Sequence, residues 1–214
     1  MKVGILGSGI VGKVLASGFI KHGHSVMVGT SDVSKLSEWK NEVGERGLVG
    51  SFSESAKYGE MIVLAVNGRA AKDVLIMSGT ENLSGKTIID ATNPIANEAP
   101  ENGVLKFFTD INFSLMEQLQ SAFPKVDFVK AFSSIGNAFM VNPDFKGIKP
   151  TMFICGNSDE SKKQVTEILD IFGFETEDMG KVEAARAIEP LCMLWCLPGF
   201  NNNSWNHAFK LLKK

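Results

Sequence analysis

Short, continuous apolar runs alternate along the chain with segments whose apolar residues recur every three or four positions. The runs cover residues 3–6, 25–29, 61–66, 87–91, 126–131 and 151–155. Continuous runs, in place of strict apolar–polar alternation, suit strands covered on both faces. Strands alternating with helices through short connections predict an α/β fold, a Rossmann-type doubly wound parallel sheet.

The helical stretches read individually. Over residues 10–22, Val11, Val14, Leu15 and Phe19 form one stripe, and Gly23 follows as a stop. Over 112–123, Leu115, Leu119 and Ala122 recur at helical spacing until Pro124 ends the pattern. Val165, Ile168, Leu169 and Phe172 make an i, i+3, i+4, i+7 stripe. Asn157 or Ser158 caps that helix, Asp159 and Glu160 suit its N-terminal dipole, and Gly173 closes it.

There is no internal repeat or low-complexity linker. A soft boundary at Gly136-Asn137 divides a dinucleotide-binding domain, 1–136, from a small C-terminal α/β extension, 137–214. The extension holds one strand, one clear helix, a short run at 174–177 and a helix from about Val182. Pro190 interrupts that last helix as a kink or as the first residue of a new one. Leu191, Met193, Leu194, Trp195, Leu197, Phe200, Trp205 and Phe209 make the end of the chain apolar and aromatic. It is expected to pack on the main domain or on a second subunit, which suggests a homodimer. Glu183, Arg186 and Glu189, at helical spacing, read as a solvated ion-pair face.

Composition narrows the setting. A formal net charge of −2 over 214 residues gives no electrostatic reason to expect nucleic acid or an anionic membrane as partner. No stretch supplies the roughly 20 apolar residues of a membrane helix, and no signal peptide is expected. Cys155, Cys192 and Cys196 lack metal-ligand spacing; buried thiols in a reducing cytoplasm are the expectation, and no metal site. His22 and His24 flank a turn and read as cap or turn residues, and His207 has no evident partner.

The chemistry begins with Gly7-Ser8-Gly9-Ile10-Val11-Gly12, a G-x-G-x-x-G motif between a strand and an amphipathic helix. Gly7 permits the tight turn, Gly9 lets the backbone approach a pyrophosphate, and Gly12 lets helix and strand pack closely. Free N–H groups at the helix start bind phosphate oxygens. About 20 residues further on, where NAD sites place an acid for the ribose hydroxyls, stands Gly29-Thr30-Ser31, and the first acid is Asp32. A strand-end carboxylate would repel a 2′-phosphate; here Thr30 and Ser31 can bond it and Lys35 can add charge. The pattern favours NADP over NAD.

These residues resemble the NADP oxidoreductases that use the deazaflavin coenzyme called factor 420, and they are similar to the cytosolic reductase domain of STEAP-type metalloreductases. The resemblance is carried by "GILGSGIVGKVLASGFIKHGHSVMVGTSD", "VLAVNGRAAKDVL", "IIDATNPI", "FVKAFSSIGNAFM" and "FICGNSDESKKQVTEILDIFGFETEDMG". It implies that Ser8, Gly9, Ile10 and Val11 face the pyrophosphate and that Thr30 and Ser31 face the 2′-phosphate. By the same resemblance Ala65, Val66 and Asn67 border the nicotinamide ribose. Asn93 and Pro94 approach the nicotinamide, and Ala131 with Phe132 lines the floor near the reacting carbon. The chain departs from the pattern in lacking the arginine that relatives often place after the second strand.

Hydride transfer between two stacked cofactors needs alignment and exclusion of water more than acid–base help. No Ser-His-Asp set or Tyr-x-x-x-Lys pair appears, and the one tyrosine is Tyr58. The expectation is therefore an NADP-dependent oxidoreductase with no catalytic side chain, moving a hydride between NADP(H) and a deazaflavin or flavin. A non-catalytic NADP-binding redox sensor, or a dehydrogenase of a small substrate, is the alternative.

Overall fold

A computed structural model describes residues 1–214. The chain runs β1 (Lys2–Leu6), α1 (Ile10–Lys21), β2 (Ser25–Gly29), α2 (Ser37–Val43), β3 (Gly47–Gly50), α3 (Phe52–Tyr58), β4 (Met61–Leu64), α4 (Ala71–Ser78), α5 (Thr80–Leu83), β5 (Thr87–Asp90), α6 (Leu115–Ala122) and β6 (Asp127–Lys130). It continues with β7 (Thr151–Gly156), α7 (Asp159–Ile171), β8 (Glu175–Asp178), α8 (Ala185–Ile188) and α9 (Pro190–Asn202).

One eight-stranded sheet has the order β3-β2-β1-β4-β5-β6-β7-β8. All pairings are parallel except β6 with β7. Side chains of a strand alternate between faces. Val3, Ile5, Met61 and Val63 thus join the α1 and α7 residues in one apolar core. Leu6, Ile62 and Leu64 join α4, α5, α6 and α8 in a second on the opposite face. Two cores, one per face, explain why the strands are continuously apolar.

Local signals set the helix boundaries. Gly9 begins α1, Ser114 caps α6 in a capping box with Glu117, and Ser158 caps α7. Pro190 is the first residue of α9, where its missing N–H costs nothing. Beyond α9, Asn203 turns left-handed (φ 51°) and the tail crosses to the start of β7, where Thr151 N–H donates to the Phe209 carbonyl at 2.9 Å.

The antiparallel pairing of β7 departs from the expected all-parallel sheet and shapes the site. Only Val129–Gly156 and Lys130–Cys155 are in register. The connection between β6 and β7 holds only a 3-10 turn at Asn137–Phe139 and lacks the crossover α-helix that usually returns a strand parallel. Strand β7 instead starts beyond the carboxyl end of β6 and descends onto it. The chain beyond Gly136 therefore extends the same sheet and rises above its carboxyl edge.

Candidate dinucleotide site at the carboxyl edge

The sheet order places the ends of β2, β1, β4, β5 and β6 side by side. At those ends stand Thr30 and Ser31, the Gly7–Gly12 loop, residues 65–67, Asn93 with Pro94, and Ala131 with Phe132. The chain leaves β1 in one direction to β2 and β3 and returns to β4 on its other side. Such a reversal opens the crevice in which α/β sheets hold ligands.

The three glycines of the loop have different reasons. Gly7 sits at φ 133°, and a Cβ there would overlap the Ala65 carbonyl. A Cβ on Gly12 would overlap the Gly7 carbonyl, so α1 lies too close to the loop for any side chain. A Cβ on Gly9 meets nothing within 4 Å. Packing therefore accounts for Gly7 and Gly12 but not for Gly9, whose missing side chain leaves open space in front of the loop. Helix α1 has no side-chain cap and no acidic residue in its first turn. Its first N–H groups, including those of Ile10 and Val11, stay available to an anion.

At the end of β2, Thr30 is buried and its hydroxyl is engaged: Ser8 Oγ lies 2.9 Å away, and the Asp32 N–H donates to it at 3.1 Å. Ser31 is exposed. Asp32 turns its carboxylate to Ser34, accepting from the hydroxyl at 2.6 Å and the N–H at 3.1 Å, and these bonds hold its pKa below the usual value. Lys35 Nζ stands 3.9 Å from the same carboxylate, on an exposed side chain.

Farther along the edge, Ala65 is buried and Val66 half-buried. Asn67 is exposed, and its Oδ1 accepts the Arg69 N–H at 3.0 Å. Pro94 is buried and its carbonyl accepts the Phe108 N–H. Asn93 Nδ2 donates to the Ser133 carbonyl at 3.0 Å, whereas Asn93 Oδ1 and Ser133 Oγ are buried without a partner. A buried acceptor and a buried hydroxyl without protein partners are the kind of groups an amide-bearing ligand satisfies. Ala131 is buried. Phe132 adopts a left-handed φ of 62° and sends its ring into the core against Phe172 and Phe174, with centroids 6.1 and 6.0 Å away. Its N–H donates to the buried Met152 sulfur at 3.2 Å. A non-glycine residue held at positive φ by buried packing is a frequent mark of a functional site.

Directly beneath this edge lies a buried ionic cluster. Lys130 Nζ is 2.7 Å from Asp90 Oδ2 and 3.0 Å from Glu189 Oε1, and all three side chains are almost wholly inaccessible. Lys130 also donates to the Thr92 carbonyl at 2.9 Å. Asp90 Oδ1 accepts from the Thr92 N–H and hydroxyl, while Glu189 accepts the Leu115 and Met116 N–H groups, each at 3.0 Å, at the start of α6. Burial alone would lower the Lys130 pKa, but the two carboxylates outweigh it and raise it, so the ammonium stays charged. Burial pushes the Cys155 thiol beside the cluster up to about 12, which keeps it neutral.

Two expectations change here. Glu189 does not belong to a solvated ion-pair face, because α9 begins at Pro190 and drives Glu189 inward onto Lys130. Arg186 is exposed, as expected, but its partner is the buried Glu117 of α6 and not a neighbour on its own helix. Asp90, Lys130 and Ser133 were not singled out from the sequence. The available signal was a charge closing each of two otherwise apolar strands, "TIID" and "DFVK". Two cysteines behave as expected, Cys155 and Cys192 buried and all three free. His207 gains partners: Nε2 lies 2.9 Å from the Trp195 carbonyl, and the ring stacks on Trp195.

A cavity of about 250 Å³ opens beside this aromatic group, lined by Gly136, Asn137, Ala138, Phe139, Trp195, Trp205 and Asn206. It lies along the segment that leaves β6 at Ala131. No helix is long and apolar enough to cross a membrane, and no cluster of three or more His, Cys, Asp or Glu residues has metal-binding geometry.

Comparison with known proteins agrees with this fold. Residues 2–94 match the family described as NADP oxidoreductase coenzyme F420-dependent. The crystal structure of an Arthrobacter sp. FB24 protein, assigned as an F420-dependent NADP reductase, superposes over 100% of both chains with a TM-score of 0.93 and 28% identity. Rat metalloreductase STEAP3 is 30% identical over 201 residues, which are 92% of this chain and 38% of the relative. Human metalloreductase STEAP2 is 26% identical over 88% of this chain and 35% of its own length. The chain thus spans little more than a third of the curated relatives it matches. Through residues 2–94 in sequence and across its whole length in fold, the chain is similar to the coenzyme F420-dependent NADP oxidoreductases.

Proposed function

We propose that this chain transfers a hydride between NADP(H), bound along the carboxyl edge, and a deazaflavin or flavin seated above it. The observation that carries the reading is the contrast among the loop glycines. Gly7 and Gly12 are closed by backbone, whereas Gly9 faces open space at an uncapped helix start. In this reading Gly9, Ile10 and Val11 bind the pyrophosphate through their N–H groups. Ser31 meets the 2′-phosphate, with Lys35 adding positive charge, and Thr30 holds the loop that presents them. Residues 65–67 flank the ribose, Asn93 with Ser133 receives the carboxamide, and the Ala131–Phe132 backbone forms the floor.

The bound nicotinamide supplies the hydride chemistry; the protein aligns donor and acceptor and keeps water out. No side chain is positioned as a general acid. Tyr58 lies under Lys2 at the amino end of the sheet, and Glu189 is committed to Lys130. That distribution supports a cofactor-to-cofactor reductase over a dehydrogenase. The cavity between Gly136–Phe139 and Trp195–Trp205 supports residues 137–214 as the acceptor side. Exposed Leu194 and Phe200 on α9 support a homodimer contact, and the free thiols support a cytoplasmic setting. Oxidation of NADPH and of NADH by the purified chain, with a deazaflavin and with FMN as acceptors, tests the reading. Acceleration of NADPH oxidation by one of the two acceptors is expected. NADPH binding without acceleration by either would leave the sensor reading in its place.

A further inference from the structure

The cluster under the edge holds two carboxylates against one ammonium. Asp90 and Lys130 neutralise one another and by themselves tie β5 to β6. Glu189 adds a second negative charge whose side chain is only 2% exposed. Burying a surplus carboxylate is costly, and an apolar or amide side chain would fill the place at lower cost. The two α6 N–H groups and the helix dipole offset part of that charge, about half of one elementary unit. Of the other charged groups near the cluster, Glu117 is paired with Arg186 and Asp178 with Lys162, and the Cys155 thiol is protonated.

The surplus stands immediately behind the crevice edge. Lys130 is followed by Ala131, and the Thr92 carbonyl that Lys130 holds is followed by Asn93. Solvent ions screen a field that originates in a buried cluster much less than one from surface charges.

We propose that Glu189, through the Asp90–Lys130 pair, places a net negative field behind the nicotinamide, so that the site favours the cationic oxidised ring over the neutral reduced one. When the hydride and its electron pair leave the reduced ring for the acceptor, the ring gains one positive charge, and the field stabilises that charge. Glu189 is a positioning and field-setting residue that does not touch the cofactor. The proposal rests on the reading that Asn93, Pro94 and Ala131 border the nicotinamide.

The test is the ratio of two dissociation constants, Kd for NADP⁺ over Kd for NADPH, measured by titration without any acceptor. Glu189→Gln keeps the shape and removes the surplus charge, and should raise the ratio about tenfold, mainly by weakening NADP⁺. Asp90→Asn leaves the Lys130–Glu189 pair neutral and should move the ratio the same way, which gives a reading if the first variant fails to fold. An unmoved ratio, or equal weakening of both nucleotides, overturns the proposal and leaves Glu189 a purely structural residue. Wild-type protein that takes up neither nucleotide overturns the cofactor reading itself, an outcome distinct from wild-type binding with an unmoved ratio.

Discussion

Ser8 Oγ and Thr30 Oγ1 stand 2.9 Å apart, so the turn after β1 is latched to the end of β2 through two side-chain hydroxyls. Because Thr30 also bonds the Asp32 backbone, its hydroxyl is committed to holding the loop, and Ser31 is the hydroxyl free to meet a ligand.

Ser31→Arg should therefore tighten NADPH about tenfold more than NADH, since a guanidinium pairs bidentately with a phosphate that only NADPH carries. Thr30→Val should weaken both nucleotides to the same degree, because it loosens the loop without touching the 2′-phosphate. Parallel titrations of the two nucleotides check both outcomes. An equal gain for both with Ser31→Arg would remove position 31 from the phosphate site.

The glycines separate packing from binding. Gly9→Val should abolish NADPH binding at a stability cost of about 1 kcal/mol, because its Cβ enters open space and the loss is that of a poorer N-cap on α1. Gly12→Ala should cost about 2 kcal/mol or more, since the overlapped atom is backbone oxygen and cannot move aside, and this outweighs the better helix propensity of alanine. Thermal melts and NADPH titrations on the same two variants read both effects.

Much of this edge was legible in the sequence because its signals are local. The glycine triplet, the hydroxyls of Thr30 and Ser31, and the strand runs of β1, β2, β4, β5 and β6 need only spacing and patterning to be read. Strand β3 was missed: four residues with glycine at both ends carry too little apolar pattern to stand out at a sheet edge. The Asp90–Lys130–Glu189 cluster was missed for a different reason. Its members lie 40 and 59 positions apart along the chain and meet only after α8 has packed on α6. The antiparallel entry of β7 likewise depends on how residues 132–150 return to the sheet, for which no local signal exists.

Lys130→Met should destabilise the chain by about 3–5 kcal/mol, because it leaves two buried carboxylates without their cation. Denaturant unfolding measures the loss. A change of less than about 1 kcal/mol would mean that the carboxylates are not charged in the folded protein.

The Glu117–Arg186 pair predicts a pH dependence. Burial alone would raise the Glu117 pKa, but the bonds from Arg186 and Ser114 outweigh it and lower it below its ordinary 4.5. A carboxylate with a lowered folded-state pKa contributes stability above its unfolded value and loses it as the pH falls through the folded value. Arg186→Gln should therefore be less stable than wild type at neutral pH, and the gap should close as the pH drops below about 4.5. Unfolding curves over that range show the convergence; a gap independent of pH would assign the Arg186 contribution to packing.

The most direct test of hydride transfer follows NADPH loss and acceptor reduction together, under anaerobic conditions, with wild-type protein and a deazaflavin or FMN. Stoichiometric, enzyme-dependent reduction of one acceptor by NADPH, lost in Gly9→Val, is the predicted result. Tight NADPH binding with no transfer to either acceptor would contradict it.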